Sequence, residues 1–265
     1  MLVDGIELKT TLTQCLKELH LPTVRACYEE EADRARRESL SYEQYLSELM
    51  EREREVSFHN RIDRLLRESK LPLEKTLEGF DLSRLPRKVA AQVRGLLDGS
   101  FLDRTENVLA FGNPGSGKTH LLCAIGQELI RAGRRVLFAA CNLLVQELLI
   151  AKQELKLPRL LKRLSKYDAL IIDDIGYVQH NRQEMEVLFV LLAERYERGS
   201  VMITSNLPFS KWERIFKDPM TTAAAIDRLV HHSIILELNL SSYRLAHSKA
   251  NTVHNEGLGQ SNSTK

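Results

Sequence analysis

The chain has 265 residues, of which 43% are apolar and 28% are charged, with 13 Gly and 7 Pro. This composition is typical of a folded globular chain and excludes a disordered, a collagenous and a small disulfide-stapled protein. The net charge is only +2, but it sums to −2 over the first 100 residues and to +4 over the remainder. Between positions 131 and 166, nine Lys or Arg stand against two Glu. We expect an anionic partner at that basic stretch.

The sequence contains no run of 18 apolar residues, and its start, MLVDGIELKT, lacks the basic and apolar regions of a signal peptide. We therefore expect a cytoplasmic protein without a membrane span. The four cysteines, Cys15, Cys27, Cys123 and Cys141, are scattered along the chain. This spacing predicts buried reduced thiols and no zinc site among them.

The first 70 residues are predicted to be helical. Apolar residues recur at helical spacing up to Leu19, and Pro22 suits the first turn of a second helix. Ser41 and Gln44 form a capping-box pattern, which predicts the start of a third helix. We assign residues 1–74 to a small all-α N-terminal domain.

The next segment, LEKTLEGFDLSRLP, has no clean period and contains Gly and Pro, so it is predicted to be an extended connector. From Asn107 onward, short apolar strands alternate with helical stretches. This alternation predicts an α/β fold with a parallel sheet covered by helices on both faces. We assign residues 75–240 to this domain and residues 241–265 to a polar, partly disordered C-terminal tail.

The motif GNPGSGKT lies directly after the apolar strand VLAF and before a helical stretch. Its glycines allow backbone N–H groups to point at phosphate oxygens, while Lys118 supplies a positive charge and Thr119 offers a hydroxyl to Mg²⁺. The pattern predicts a P-loop that binds ATP with Mg²⁺. The candidate nucleotide-binding residues are Gly112, Asn113, Pro114, Gly115, Ser116, Gly117, Lys118, Thr119 and His120.

The motif YDALIIDDIG places two acidic residues at the carboxyl end of a buried strand, where ligands of open α/β sheets bind. Asp173 is expected to hold Mg²⁺, and Asp174 to orient or polarise the attacking water. A further strand, VMITSN, ends in Asn206. If this strand lies between the P-loop strand and the Asp173 strand, Asn206 faces the γ-phosphate; otherwise it caps a loop.

Two other features leave alternatives open. Arg228 lies at a predicted helix end and is either a surface charge or an arginine finger that reaches a neighbouring subunit's nucleotide. His231 and His232, which follow it, are expected to be surface or core histidines rather than ligands. The basic stretch is either a solvated face or a surface that contacts DNA phosphates. Its candidate DNA-binding residues are Lys152, Lys156, Arg159, Lys162, Arg163 and Lys166.

Together with the P-loop, the paired acids and DRLVHHS, the run IGYVQHNRQEMEVLFVLLAERYERGSVMITSNLPFSKW resembles the IstB family. Members of this family are ATP-binding helper proteins of two-gene insertion sequences, and their kin are DnaC-type helicase loaders. The resemblance covers nearly the whole chain, including TLEGFD. It implies an AAA+ ATPase with a three-layer sandwich around a parallel five-stranded sheet, preceded by a small helical domain and without a C-terminal lid.

The resemblance also implies homo-oligomers that assemble on duplex DNA with ATP, remodel the target site, and recruit and stimulate a transposase. It assigns roles to six residues, namely the Walker A pair Lys118 and Thr119, the Walker B acids Asp173 and Asp174, sensor 1 Asn206 and the arginine finger Arg228. Many AAA+ proteins have Glu where this chain has Asp174, which shortens the reach to water. Without a lid, Arg244 is the available substitute for a sensor 2 arginine.

Two rival functions share part of this pattern. A DnaC-type helicase loader, which acts on single-stranded DNA, shares every nucleotide motif. A small-molecule P-loop kinase needs an acceptor pocket and an Arg-rich lid, and the sequence indicates neither.

Overall fold

The computed structural model describes residues 5–176, 181–212, 219–240 and 242. Internal contacts divide the chain into two compact units, residues 1–64 and 65–265, so the division falls inside the third helix. Within the described ranges, no helix is both long and apolar enough to cross a membrane. Arg244, the tail beyond Ser242 and any lid after the last strand lie outside the described residues.

The first unit begins with α1 (Gly5–Glu18), α2 (Pro22–Glu38) and the start of α3 (Tyr42–Glu68). Pro22 occupies the first turn of α2, as the sequence predicts. The predicted capping box is also confirmed, because Ser41 N donates to Gln44 Oε1 (2.8 Å) and Gln44 N donates to Ser41 Oγ (3.2 Å). Local sequence chemistry therefore determines where these helices begin.

The core of the first unit is small, with Leu16, Val24 and Leu49 at its centre. Glu53 of α3 accepts hydrogen bonds from the backbone N–H groups of Thr23 (2.8 Å) and Val24 (2.9 Å), and so caps α2 from a neighbouring helix. Many of the apolar side chains that recur at helical spacing face solvent instead of this core. The exposed residues include Leu8, Leu12, Leu19, Tyr42, Leu46 and Met50.

The prediction of four buried thiols is only half correct. Cys123 and Cys141 are buried, and burial raises the pKa of each thiol to about 12. Cys15 is exposed and Cys27 is half-buried. In α1 the adjacent Leu16 takes the core-facing position, and neighbouring helical residues point about 100° apart, so Cys15 faces solvent.

The second unit is built on a five-stranded parallel sheet, which confirms the predicted fold. The strands are β1 (Asn107–Gly112), β2 (Val136–Ala140), β3 (Ala169–Ile175), β4 (Ser200–Ser205) and β5 (Ser233–Leu238). Their order across the sheet is β2-β3-β4-β1-β5, and every neighbouring pair is parallel. The carboxyl ends of β1, β4 and β3 therefore lie side by side at one edge.

Helices cover both faces of this sheet. They are α4 (Arg87–Leu96), α5 (Ser100–Asp103), α6 (Lys118–Arg131), α7 (Cys141–Gln153), α8 (Leu157–Leu164), α9 (Arg182–Arg195) and α10 (Pro219–Val230), with 3₁₀ turns at Leu82–Arg84 and Phe209–Lys211. Gly126 of α6 packs against Ile171 on one face. Leu170 and Ile172 point to the opposite face and join the core formed with α7, α9 and α10. Because β3 is buried on both faces, its sequence is continuously apolar.

A buried guanidinium joins the amino-terminal ends of two strands. Arg195, at the end of α9, donates to the backbone carbonyls of Leu164 (3.1 Å), Tyr167 (3.0 Å), Asp168 (3.1 Å) and Ser200 (2.9 Å). These carbonyls belong to the end of α8, the turn before β3 and the start of β4. Burial lowers the pKa of Arg195 to about 10, so the side chain still carries its charge at neutral pH.

We predict that Arg195→Ala lowers the free energy of unfolding by about 3 kcal/mol or more, because it removes four hydrogen bonds from a buried charged donor. The matched control is Arg198→Ala, since Arg198 makes an exposed ion pair with Glu194. Such a pair contributes about 0.5 kcal/mol or less. Denaturant unfolding followed by the fluorescence of Trp212, the single Trp and fully buried, measures both. Equal midpoints for the two variants would contradict the assignment.

Candidate nucleotide-binding site

The P-loop motif forms a tight turn between β1 and α6, as the sequence predicts. Gly112 has a φ of 155°, and a Cβ there would lie 2.3 Å from the carbonyl oxygen of Leu238. Gly117 caps α6 with a φ of 93°, where a Cβ would lie 2.8 Å from the ring of Phe80. Only glycine fits such close approaches at positive φ. The loop therefore brings the amino terminus of α6, with its backbone N–H groups, to the carboxyl edge of the sheet.

Lys118 is buried, and its ammonium group has a defined set of acceptors. Lys118 Nζ donates to the carbonyl oxygens of Gly112 (2.8 Å) and Asn113 (3.0 Å) and to Asn206 Oδ1 (2.6 Å). The nearby Ser116 Oγ is buried and has no hydrogen-bond partner in the described part of the chain. The loop thus presents a buried cation and an unused hydroxyl at the place where phosphate oxygens are expected.

The two acidic residues of β3 lie next to the loop. Thr119 Oγ1 donates to Asp173 Oδ1 (2.8 Å), and Thr204 Oγ1 donates to the same oxygen (2.7 Å). The backbone N–H of Asp174 donates to Thr204 Oγ1 (2.7 Å). The sequence pattern indicates no role for Thr204, although this residue stands in the polar end of VMITSN. It connects both acidic residues to β4.

Asn206 completes this network. β4 lies between β1 and β3, which is the condition under which the sequence predicts that Asn206 faces the γ-phosphate. Asn206 Oδ1 accepts from Lys118, and Asn206 Nδ2 donates to Asp174 Oδ1 (2.9 Å). Asp174 has a φ of 64°, a left-handed conformation that Asp and Asn tolerate better than most residues. These bonds fix both carboxylates against the loop.

The segment before α4 is not the extended connector that the sequence predicts. His120 Nε2 lies 2.8 Å from the carbonyl oxygen of Thr76, and the rings of Phe80 and His120 meet edge to face at 5.4 Å. The glycine and the aromatic residue of EGFD allow this segment to turn back onto the P-loop, since Phe80 packs over Gly117. The resulting cavity is lined by Lys75, Gly79, Phe80, Asp81, Arg84, Gly115, Ser116, Gly117, Lys118, Thr119, His120 and Leu240.

Arg228 is not part of the Lys118 network. Its guanidinium lies over the ring of Phe189 in α9, 4.7 Å from the ring centroid, and its Nη1 is buried without a hydrogen-bond partner among the described residues. The helix end beside it is held by Asn107, whose Nδ2 donates to the Leu229 carbonyl (3.1 Å) while its Oδ1 accepts from Val201 N (2.9 Å). Arg228 is therefore positioned on the α9 side of the sheet.

The six basic candidates lie on and around α7 and α8, and carboxylates pair with three of them. The pairs are Lys152 with Glu186, Lys156 with Glu154, and Arg163 with Glu147. Arg159, Lys162 and Lys166 are exposed and have no ion pair in the described part of the chain. All but Lys152 line one groove between α7 and α8. The net positive charge of this surface therefore comes chiefly from the three unpaired side chains.

Comparison with known proteins matches this chain to ATP-binding proteins, in agreement with the P-loop geometry. The family model described as IstB-like ATP binding protein matches residues 14–251. An insertion sequence ATP-binding protein of Sinorhizobium fredii is 46% identical over 230 residues, which are 86% of this chain and 77% of that relative. The ATP-binding protein of insertion sequence IS5376 from Geobacillus stearothermophilus is 38% identical over 238 residues, 90% of this chain and 95% of that relative.

Among solved structures, AMPPCP-bound DnaA from Aquifex aeolicus matches with a TM-score of 0.54 and 20% identity, over 70% of this chain and 56% of that chain. This likeness shows a shared AAA+ fold. The family model matches most of the sequence, and the P-loop of this chain lies at the carboxyl edge of a parallel sheet. The chain therefore belongs to the IstB-like family of AAA+ ATP-binding proteins.

Proposed function

We propose that this protein is an ATP-dependent, DNA-binding helper of transposition. It assembles as a homo-oligomer on duplex DNA, remodels the target site, and recruits and stimulates its transposase. ATP hydrolysis at the boundaries between subunits controls disassembly. The observation that carries this proposal is the hydrogen-bonded network that joins Lys118, Asn206, Asp174, Thr204 and Asp173 at the P-loop.

The network supports binding of a nucleoside triphosphate. Phosphate oxygens carry more negative charge than the carbonyl oxygens of Gly112 and Asn113, so they compete effectively for the Lys118 ammonium. The N–H groups at the start of α6 and the hydroxyl of Ser116 supply further donors. ATP binding therefore replaces bonds within the protein by bonds to phosphate.

The donor set also fits Mg²⁺, which prefers hydroxyl, carboxylate and water oxygens. Thr119 Oγ1 and Asp173 Oδ1 lie 2.8 Å apart, and these two residues would hold the ion. Held there beside ATP, Mg²⁺ would supply charge neutralisation at the phosphate oxygens. Thr204, which donates to Asp173, keeps that carboxylate turned toward Thr119.

Asp174 and Asn206 are suited to position the attacking water. The carboxylate of Asp174 lies 2.9 Å from Asn206 Nδ2, and both side chains project from the carboxyl edge of the sheet near Lys118. A carboxylate can accept a hydrogen bond from water while the amide orients it toward the γ-phosphate. The left-handed backbone of Asp174 helps to define where its shorter side chain points.

The relatives' names support a function in transposition, because both relatives are ATP-binding proteins of insertion sequences. The basic groove between α7 and α8 supplies a surface for DNA phosphates. A helicase loader would show the same nucleotide chemistry, so the preferred form of DNA separates the two functions. Binding to duplex DNA favours a transposition helper, and preference for single strands favours a loader.

Our first functional prediction separates binding from hydrolysis. Lys118→Ala should abolish ATP binding and assembly, because it removes the buried cation. Asp174→Asn should bind ATP normally and accumulate as a DNA-bound oligomer, because Asn accepts the left-handed backbone and the bond from Asn206 but is a poor base. Nucleotide titration calorimetry measures ATP binding, and sedimentation with duplex DNA measures assembly. A steady-state ATPase assay measures turnover. An Asp174→Asn variant with normal turnover would exclude Asp174 from the hydrolytic step.

A second functional prediction concerns Arg228. Arg228→Ala should keep its affinity for ATP and lose turnover by at least about tenfold, because a finger acts on the transferring phosphate. Phe189→Leu should lower kcat without changing KM, and Phe189→Tyr should restore it, because a ring again lies beneath the guanidinium. Steady-state ATPase assays with duplex DNA measure these effects.

Mixing two inactive variants tests whether the finger acts between subunits. In an equimolar mixture of Arg228→Ala and Asp174→Asn, about one quarter of head-to-tail interfaces join an intact Asp174 site to an intact Arg228. ATPase activity should therefore return in the mixture. A finger that serves its own subunit would give no recovery.

A third functional prediction concerns DNA. Replacing Arg159, Lys162 and Lys166 by Ala should weaken duplex binding and make the slope of log affinity against log salt about 2–3 units less steep, because each phosphate contact contributes about 0.9. The matched control replaces Lys152, Lys156 and Arg163, which carboxylates already pair. Gel shifts at several salt concentrations measure the slopes. Equal losses in the two triple variants would refute a specific role for the unpaired cations.

A further inference from the structure

A cluster of metal-ligating side chains lies away from the P-loop. It consists of Glu197, in the turn between α9 and β4, and of His231 and His232, in the turn between α10 and β5. One potential ligand atom from each lies within 4.8 Å of the others, and all three residues are exposed. Among the described residues, no other group of three or more His, Cys, Asp or Glu side chains is placed to hold an ion. It lies at the amino-terminal edge of the sheet, opposite the P-loop edge.

The backbone fixes both turns that carry the cluster. Arg198 N and Gly199 N donate to the Arg195 carbonyl (3.0 and 3.1 Å), which closes the turn that contains Glu197. His231 N donates to the Asp227 carbonyl (3.0 Å), and the His232 carbonyl accepts from Asn107 N (2.7 Å). The three ligand side chains therefore project from two anchored positions.

One ring nitrogen of His231 lies beside a tyrosine hydroxyl. Tyr196 Oη lies 3.3 Å from His231 Nδ1, and a hydroxyl that accepts from Nδ1–H leaves Nε2 free for coordination.

We propose that Glu197, His231 and His232 bind a divalent transition-metal ion of the zinc class. Two imidazoles and a carboxylate are typical ligands of such an ion, with water at the fourth position. Ligand atoms of a tetrahedral zinc site lie about 3.3 Å apart, given bond lengths of about 2.0 Å. Rotation of these exposed side chains closes the remaining gap. The bound ion would join the α9–β4 turn to the α10–β5 turn, independently of nucleotide binding.

The experiment is titration of ZnCl₂ into the full chain, without an affinity tag and freed of metal by chelation, in a non-chelating buffer with excess Mg²⁺. The Mg²⁺ competes for the oxygen ligands Thr119 and Asp173 but not for imidazoles. Calorimetry should detect one zinc ion per chain, and zinc should raise the melting temperature. His231→Ala, His232→Ala and Glu197→Gln should each lower the affinity by at least about tenfold.

Two matched variants control for other surface ligands. His59→Ala removes an exposed histidine of the first unit, and Cys15→Ser removes the exposed thiol. Both should bind zinc as the parent chain does. Because the three ligand side chains are exposed, their variants should keep the parent's melting temperature in the absence of zinc. No zinc binding by the parent chain, or equal affinity in the cluster variants and the controls, would overturn the proposal.

Discussion

The buried ammonium group of Lys118 is the constraint on which the site depends. A cation that is removed from water needs oxygen acceptors, and the fold supplies them from two directions. Two are carbonyls of the loop that follows β1, and the third is the side chain of Asn206 at the end of β4. This arrangement exists only because β4 is the neighbour of β1, so the charge of one lysine ties the loop conformation to the strand order.

Around that cation, hydrogen bonds form a closed ring. From Lys118 the ring passes through Asn206 to Asp174, through Thr204 to Asp173, and through Thr119 back to the start of α6. Each member holds its neighbour in a defined orientation, and such networks respond as a unit to the change of one bond. A ligand that takes the Lys118 ammonium therefore acts on Asn206 and, through it, on the carboxylate that would face water.

The sequence predicted the parts of the site that local pattern specifies. GNPGSGKT and the acids at the end of an apolar strand identified Lys118, Thr119 and Asp173, because these motifs depend on near-neighbour spacing. The role of Thr204 was missed, since a threonine at a strand end is common and its partners come from β3. Phe80 was missed for a similar reason, because only the packing of a segment without periodicity brings its ring to Gly117. Contacts between elements distant in sequence leave no local period to detect.

The strand β4 connects the two edges of the sheet, and this connection gives the proposed assembly a physical basis. At its amino end, the carbonyl of Ser200 accepts from Arg195 and the N–H of Val201 donates to Asn107. Arg195 also holds the end of α8, next to the basic groove, and Asn107 holds the end of α10, next to Arg228. At its carboxyl end, β4 carries Thr204 and leads into Asn206. In the proposed assembly, a displacement of α8 by DNA or of α10 by a neighbouring subunit would therefore act on the same short strand that orients the groups around Lys118. A continuous chain of hydrogen bonds and buried backbone can carry such coupling when the strand has two arrangements that both sites bias.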